Sequence, residues 1–71
     1  MYPAVEVDSR MVSQVQYDEV LHELHLTYKG RNTKYTYSEV PEDVYDILLA
    51  APSKGEFIKT HIQGAYAYRR A

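Results

Sequence analysis

Apolar and polar residues alternate along the first half of the chain and fall at helical spacing in the second. Val12 to Tyr17 reads as a strand, with Val15 and Tyr17 on one face and Gln14 and Gln16 on the other. Glu23 to Tyr28 is the clearest case: Leu24, Leu26 and Tyr28 face one way, and Glu23, His25 and Thr27 the other. Lys34 to Ser38 alternates again, with Tyr35 and Tyr37 together. Asp18-Glu19 opens the first turn, and Lys29-Gly30-Arg31-Asn32 is a hairpin signal, because Gly and Asn tolerate positive φ. Short turns between consecutive strands predict an antiparallel meander.

The period then changes. Pro41 suits a first helical turn, where its missing N–H costs nothing. Glu42, Asp43 and Asp46 complement the positive end of the helix dipole. Val44, Ile47, Leu48 and Ala51 form the expected buried stripe, with Tyr45 beside it, and Pro52 stops the helix near Ala50. Ser53-Lys54-Gly55-Glu56 matches a capping box and opens a second helix carrying Phe57, Ile58 and Ile62. Gly64 is a C-terminal stop. Ala65 to Arg70 alternates, as a short edge strand or a docked tail. The predicted fold is α+β: a three-stranded antiparallel β-meander covered on one face by two α-helices (β-β-β-α-α), with that C-terminal edge strand as an addition. Residues 1–10 read as a leader and 11–70 as a single domain. Val20 and Leu21 interrupt a turn where polar residues are expected; they extend the core or form a small exposed patch.

With 71 residues, the chain allows one small domain and buries only about 60% of its unfolded surface. It has no cysteine, so neither disulfides nor thiolate metal sites support it. Its eight tyrosines and one phenylalanine must serve as core or as binding surface. If Tyr35 and Tyr37 faced solvent, Lys34, Thr36 and Ser38 would face the core at a high desolvation cost. They therefore face the helices, their hydroxyls reaching the rim. The other face, with Gln14, Gln16, Glu23, His25, Thr27, Lys34 and Thr36, offers no platform on which RNA bases stack.

The net charge of −2 argues against non-specific nucleic-acid binding, yet the chain is polarised. Residues 1–46 carry nine acidic and four basic side chains, whereas residues 47–71 carry Lys54, Lys59, Arg69 and Arg70 against Glu56 alone. No apolar run exceeds the five residues Ile47 to Ala51, and the start lacks the pattern of a signal peptide, so a cytoplasmic protein with no membrane contact is expected.

The ordered pieces Val7-Asp8-Ser9, Val15-Gln16-Tyr17-Asp18, Tyr35-Thr36-Tyr37, Val40-Pro41-Glu42-Asp43-Val44-Tyr45, Ala51-Pro52-Ser53-Lys54-Gly55 and Tyr66-Ala67-Tyr68 resemble the KTSC domain family. The resemblance runs from about Val7 to Arg70, and the Ala-Pro-Ser-Lys-Gly junction is its most specific part. Arg10 and Met11 depart from the family's usual residues, and Val20 and Leu21 replace a polar turn. The family is named for its place at the C-terminus of some lysyl-tRNA synthetases and also occurs as stand-alone bacterial or phage proteins. The resemblance implies no established activity; RNA binding has been suggested for the family. No synthetase catalytic segment is present, so aminoacylation does not carry over.

Candidate chemistry is sparse. Ser53, Lys54 and Gly55 open a helix whose free N–H groups suit a phosphate or carboxylate, with Lys59, Arg69 and Arg70 as further cations and Tyr66 and Tyr68 as stacking rings. The plainer alternative is that Ser53 caps the helix and Lys54 is solvated, since Glu56 competes for the same end. The P-loop pattern is missing. His22 and His25 point to opposite faces of a strand and His61 stands alone, so no metal or other cofactor is expected. No nucleophile has a plausible base, and no enzyme is expected. Two functions follow: docking of a protein partner or a second copy through Val20 and Leu21, or RNA binding at the basic C-terminal end.

Overall fold

The computed structural model describes residues 1–30 and 33–70, so Arg31 and Asn32 of the expected hairpin loop lie outside the described residues. In chain order the elements are β1 (Val5–Glu6), β2 (Val12–Asp18), β3 (Glu23–Tyr28), β4 (Thr33–Tyr37), α1 (Glu42–Ala50), α2 (Lys54–Phe57), which runs on as π-helix over Ile58–Ile62, and β5 (Tyr68–Arg70). The class is α+β with an antiparallel sheet and two helices, as the sequence predicts. Among the described residues the strands number five, not three, in the order β1-β2-β3-β4-β5.

The C-terminal alternation is an edge strand: Tyr37 pairs with Tyr68 and Tyr35 with Arg70. The extra strand at the other edge lies among residues read as a leader. Val5 pairs with Val15 and Glu6 with Gln14. The Tyr2 N–H donates to the Tyr17 carbonyl at 2.9 Å and extends the same edge. Val5-Glu6-Val7 does alternate, but three residues are too few for periodicity to stand out.

Within β2 the register shifts between Val12 and Gln14, leaving Ser13 as a bulge. The extra residue changes parity, so Val12 and Val15, three apart, both point inward and are fully buried. Val15, Tyr17, Leu24, Leu26 and Tyr37 form the inner face of the sheet, with Tyr28 and Tyr35 half-buried at its rim. Leu48, Ile58 and Ile62 close over it from the helices.

The buried face of α1 departs from the expected stripe. Tyr45 and Leu48 are buried, Val44 and Leu49 flank them, and Ile47 is 55% exposed. The Tyr45 ring stacks on Tyr17 with centroids 5.1 Å apart, and this contact fixes the rotation of the helix. Pro41 sits at the N-cap in extended conformation, one residue ahead of the helix. Ala51, the residue before Pro52, is also extended and ends it. The Ser53 hydroxyl accepts from the Glu56 N–H at 3.3 Å, so the expected cap forms. Thr60 donates to the Glu56 carbonyl at 2.9 Å inside the widened turn, and the Gln63 N–H reaches back five residues to Ile58.

Candidate functional site

Asp18 ends β2 and organises the turn that follows. One carboxylate oxygen accepts from the backbone N–H groups of Val20 at 2.9 Å and Leu21 at 3.0 Å. These bonds, that from Leu21 first, hold the Asp18 carboxyl below its ordinary range. Two of the turn's backbone N–H groups are thereby satisfied, and its two apolar side chains stay outside the core. Val20 is 76% and Leu21 63% exposed, so of the two readings the surface patch is the one observed.

The next residues tie this turn to the start of α1. His22 adopts a left-handed conformation, φ 55°, and its carbonyl accepts from the Val40 N–H at 2.9 Å. Glu39 is also left-handed, φ 57°. The buried Tyr17 hydroxyl donates to the Val40 carbonyl. Leu21, His22, Glu39, Pro41 and Glu42 line an open concavity of about 620 Å³ beside the apolar tip. The Tyr2 hydroxyl donates to the Glu42 carboxylate, and that bond pushes the Tyr2 phenol up to about 12. Sequence reading missed this groove. Its residues lie in two separate turns, and nothing in either indicates that the Val40 to His22 bond joins them.

The basic candidates divide among three places. Ser53, Lys54 and Lys59 line a larger concavity, about 960 Å³, against Asp8, Ser9 and Arg10 ahead of β2. Two segments that carry the family resemblance meet here. A side chain on Gly55 would come within 3.2 Å of the Ser9 hydroxyl, so the glycine permits this close approach. Ser9 in turn accepts from the Met11 N–H at 3.1 Å. Lys54 donates to the Ala51 carbonyl at 3.1 Å and closes the end of α1. Glu6, Asp8 and Glu56 share the rim with Arg10, Lys54 and Lys59, so no one-sided positive field results.

Arg69 lies on the outer face of the sheet and forms an ion pair with Glu23 at 3.2 Å. Arg70 lies on the inner face, its guanidinium 6.0 Å from the Tyr35 centroid, in a separate concavity with Tyr28 and Gln63. Tyr68 stacks on Tyr35 at 5.2 Å, and Tyr66 packs against the core. The Tyr28 and Tyr37 hydroxyls bond at 2.9 Å, and Gln63 donates to Tyr28 at 3.2 Å. The sequence grouped these basic and aromatic residues by their position late in the chain; β5 separates them because successive residues of a strand alternate faces.

On the outer face the His25 ring bonds to Thr36 at 2.8 Å, and burial lowers its pKa. Among the described residues no group of three His, Cys, Asp or Glu side chains is placed to hold a metal ion. Among them, too, no helix is long and apolar enough to cross a membrane.

Comparison with known proteins agrees with this arrangement. The sequence profile of the KTSC domain matches residues 8–66. A protein from Tsukamurella paurometabola is 42% identical over 52 residues, covering 73% of this chain and 76% of that protein. The crystal structure of a KTSC domain protein from Yersinia pestis superposes with a TM-score of 0.92 at 26% identity, covering 97% of this chain and 96% of that one. By sequence and by fold, this chain belongs to the KTSC domain family.

Proposed function

We propose that the domain is a non-catalytic docking module that binds a protein partner in the cytoplasm through Val20 and Leu21. The observation that carries this reading is the exposure of two adjacent large apolar side chains on a turn fixed by Asp18. Burying each in a partner is worth about 1.5–3 kcal/mol. Because the turn is already ordered, little of that is lost to fixing it. Two side chains fall short of the roughly 800 Å² per partner of a standard interface, so they act as the anchor of a larger footprint. RNA binding at the basic end has weaker support. Lys54 and Arg69 engage internal partners, and Tyr68 stacks within its own sheet.

The test compares proteins retained from a lysate by the wild type and by the Val20→Ser/Leu21→Ser double variant. Each retained protein is then purified and its affinity measured by calorimetry. The expected result is a partner whose affinity falls about tenfold or more in a variant that melts like the wild type. Equal affinity for both forms would refute the reading, as would retention of RNA alone.

A further inference from the structure

The groove beside the apolar tip has two chemically different walls. Leu21 and Pro41 supply apolar surface, and Glu39 and Glu42 supply carboxylates. One backbone bond joins the two turns that form the groove, and one of the two carboxylates is held in place. The Val40 N–H anchors the His22 carbonyl, and the Tyr2 hydroxyl holds Glu42. The part of the sequence that forms the groove, residues 1–46, carries nine acidic side chains against four basic ones. An apolar surface beside two carboxylates suits a side chain with a long aliphatic stem and a cationic head.

Resting on the docking role above, we propose that this groove receives a lysine or arginine side chain from a basic, extended segment of the protein partner. The stem lies against Leu21 and Pro41, and the cation meets the Glu39 and Glu42 carboxylates. Val20 and the rest of Leu21 pack against the apolar neighbours of that side chain. An acidic partner would be repelled here. A wholly apolar one would strip water from the two carboxylates without replacing it.

The test is an NMR titration of the full chain with an extended peptide alternating Leu and Lys. The same peptide with Glu for Lys, and with Ser for Lys, serves for comparison, each at low and at physiological salt. The Lys peptide should shift the amides of Leu21, His22, Glu39 and Glu42 and bind about tenfold more tightly than the Glu peptide. Glu39→Gln/Glu42→Gln should weaken it about fivefold or more while the melting temperature falls by only a few degrees, since position 42 loses its charge at the α1 dipole but its amide oxygen still accepts from Tyr2. Shifts spread evenly over the surface, or an affinity indifferent to the Gln pair, would overturn the inference. Equal binding of the Ser peptide at the same amides would also remove the basic assignment while leaving the docking role intact. Failure of the docking role itself is read separately, from the affinity of the Val20→Ser/Leu21→Ser variant for the captured partner.

Discussion

Tyr17 and Tyr45 stack face to face, with ring planes 15° apart, and both are buried. Their hydroxyls have opposite circumstances. That of Tyr17 donates to the Val40 carbonyl, whereas that of Tyr45 is buried with no hydrogen-bond partner among the described residues. Burial raises the pKa of both phenols, so both are neutral at pH 7. Replacing either residue by Phe removes one oxygen and keeps the ring. Tyr17→Phe breaks the bond between β2 and the segment ahead of α1 and strands a carbonyl, at a cost of about 1–3 kcal/mol. Tyr45→Phe removes an uncompensated polar atom and should be neutral or stabilising by about 1 kcal/mol. A chain of 71 residues has a total stability of about 4–10 kcal/mol, so the first change is a large fraction of it. Urea unfolding followed by circular dichroism measures the difference. With a slope near 1 kcal/mol per molar, typical of the smallest domains, the two midpoints should lie about 1–4 M apart. If Tyr45→Phe were as destabilising as Tyr17→Phe, the Tyr45 hydroxyl would have a partner and the reasoning would fail.

Acid should weaken the fold in two stages. Burial first, then Lys34, lower the His25 pKa; its contribution to stability is complete above the ordinary 6.5 and is lost as pH falls through the lower folded value. Asp18 is also lowered, so its contribution is complete above the ordinary 3.8 and is lost as pH falls through its own folded value. Urea midpoints measured from neutral to strongly acid pH should show both declines, with Asp18→Asn reducing the second, to which Glu19 also contributes, and leaving the first. Gly55→Ala should be nearly neutral, because the helix gain of about 1 kcal/mol is offset by crowding of Ser9. In a Ser9→Ala background the same change should stabilise by about 1 kcal/mol, measured by thermal unfolding.

What the sequence made legible followed from the strength of its alternation. In β3, and in β4 from Lys34 onward, apolar and polar residues alternate, and a slip of one residue would bury Lys34 and expose Leu26. The alternation alone therefore determines both faces. In α1, Val44, Tyr45, Ile47, Leu48 and Leu49 crowd together, and more than one helical phase buries most of them. Stacking on Tyr17, a partner 28 residues away in sequence, selects the phase that exposes Ile47. β1 was illegible because two residues carry almost no pattern. The apolar tip was visible as an anomaly, since Val20 and Leu21 stand in a turn. The carboxylate wall beside it was not, because the Val40 to His22 bond that assembles the groove joins backbones and leaves no trace in side-chain identity.

The order of strands across the sheet is also their order along the chain. Each strand pairs with the strand before it in sequence, but β5 reaches β4 only after both helices. Most pairings therefore close short loops, whose entropic cost is low. The β2–β3 and β3–β4 hairpins are the pairings with the lowest closure cost, and they give β3 a partner on either side. The pairing of Tyr68 with Tyr37 costs more, since it closes a loop containing both helices. The basic residues of β5 thus depend for their surroundings on the longest loop closure in the sheet, whereas the acidic turn at Asp18 rests on a local one.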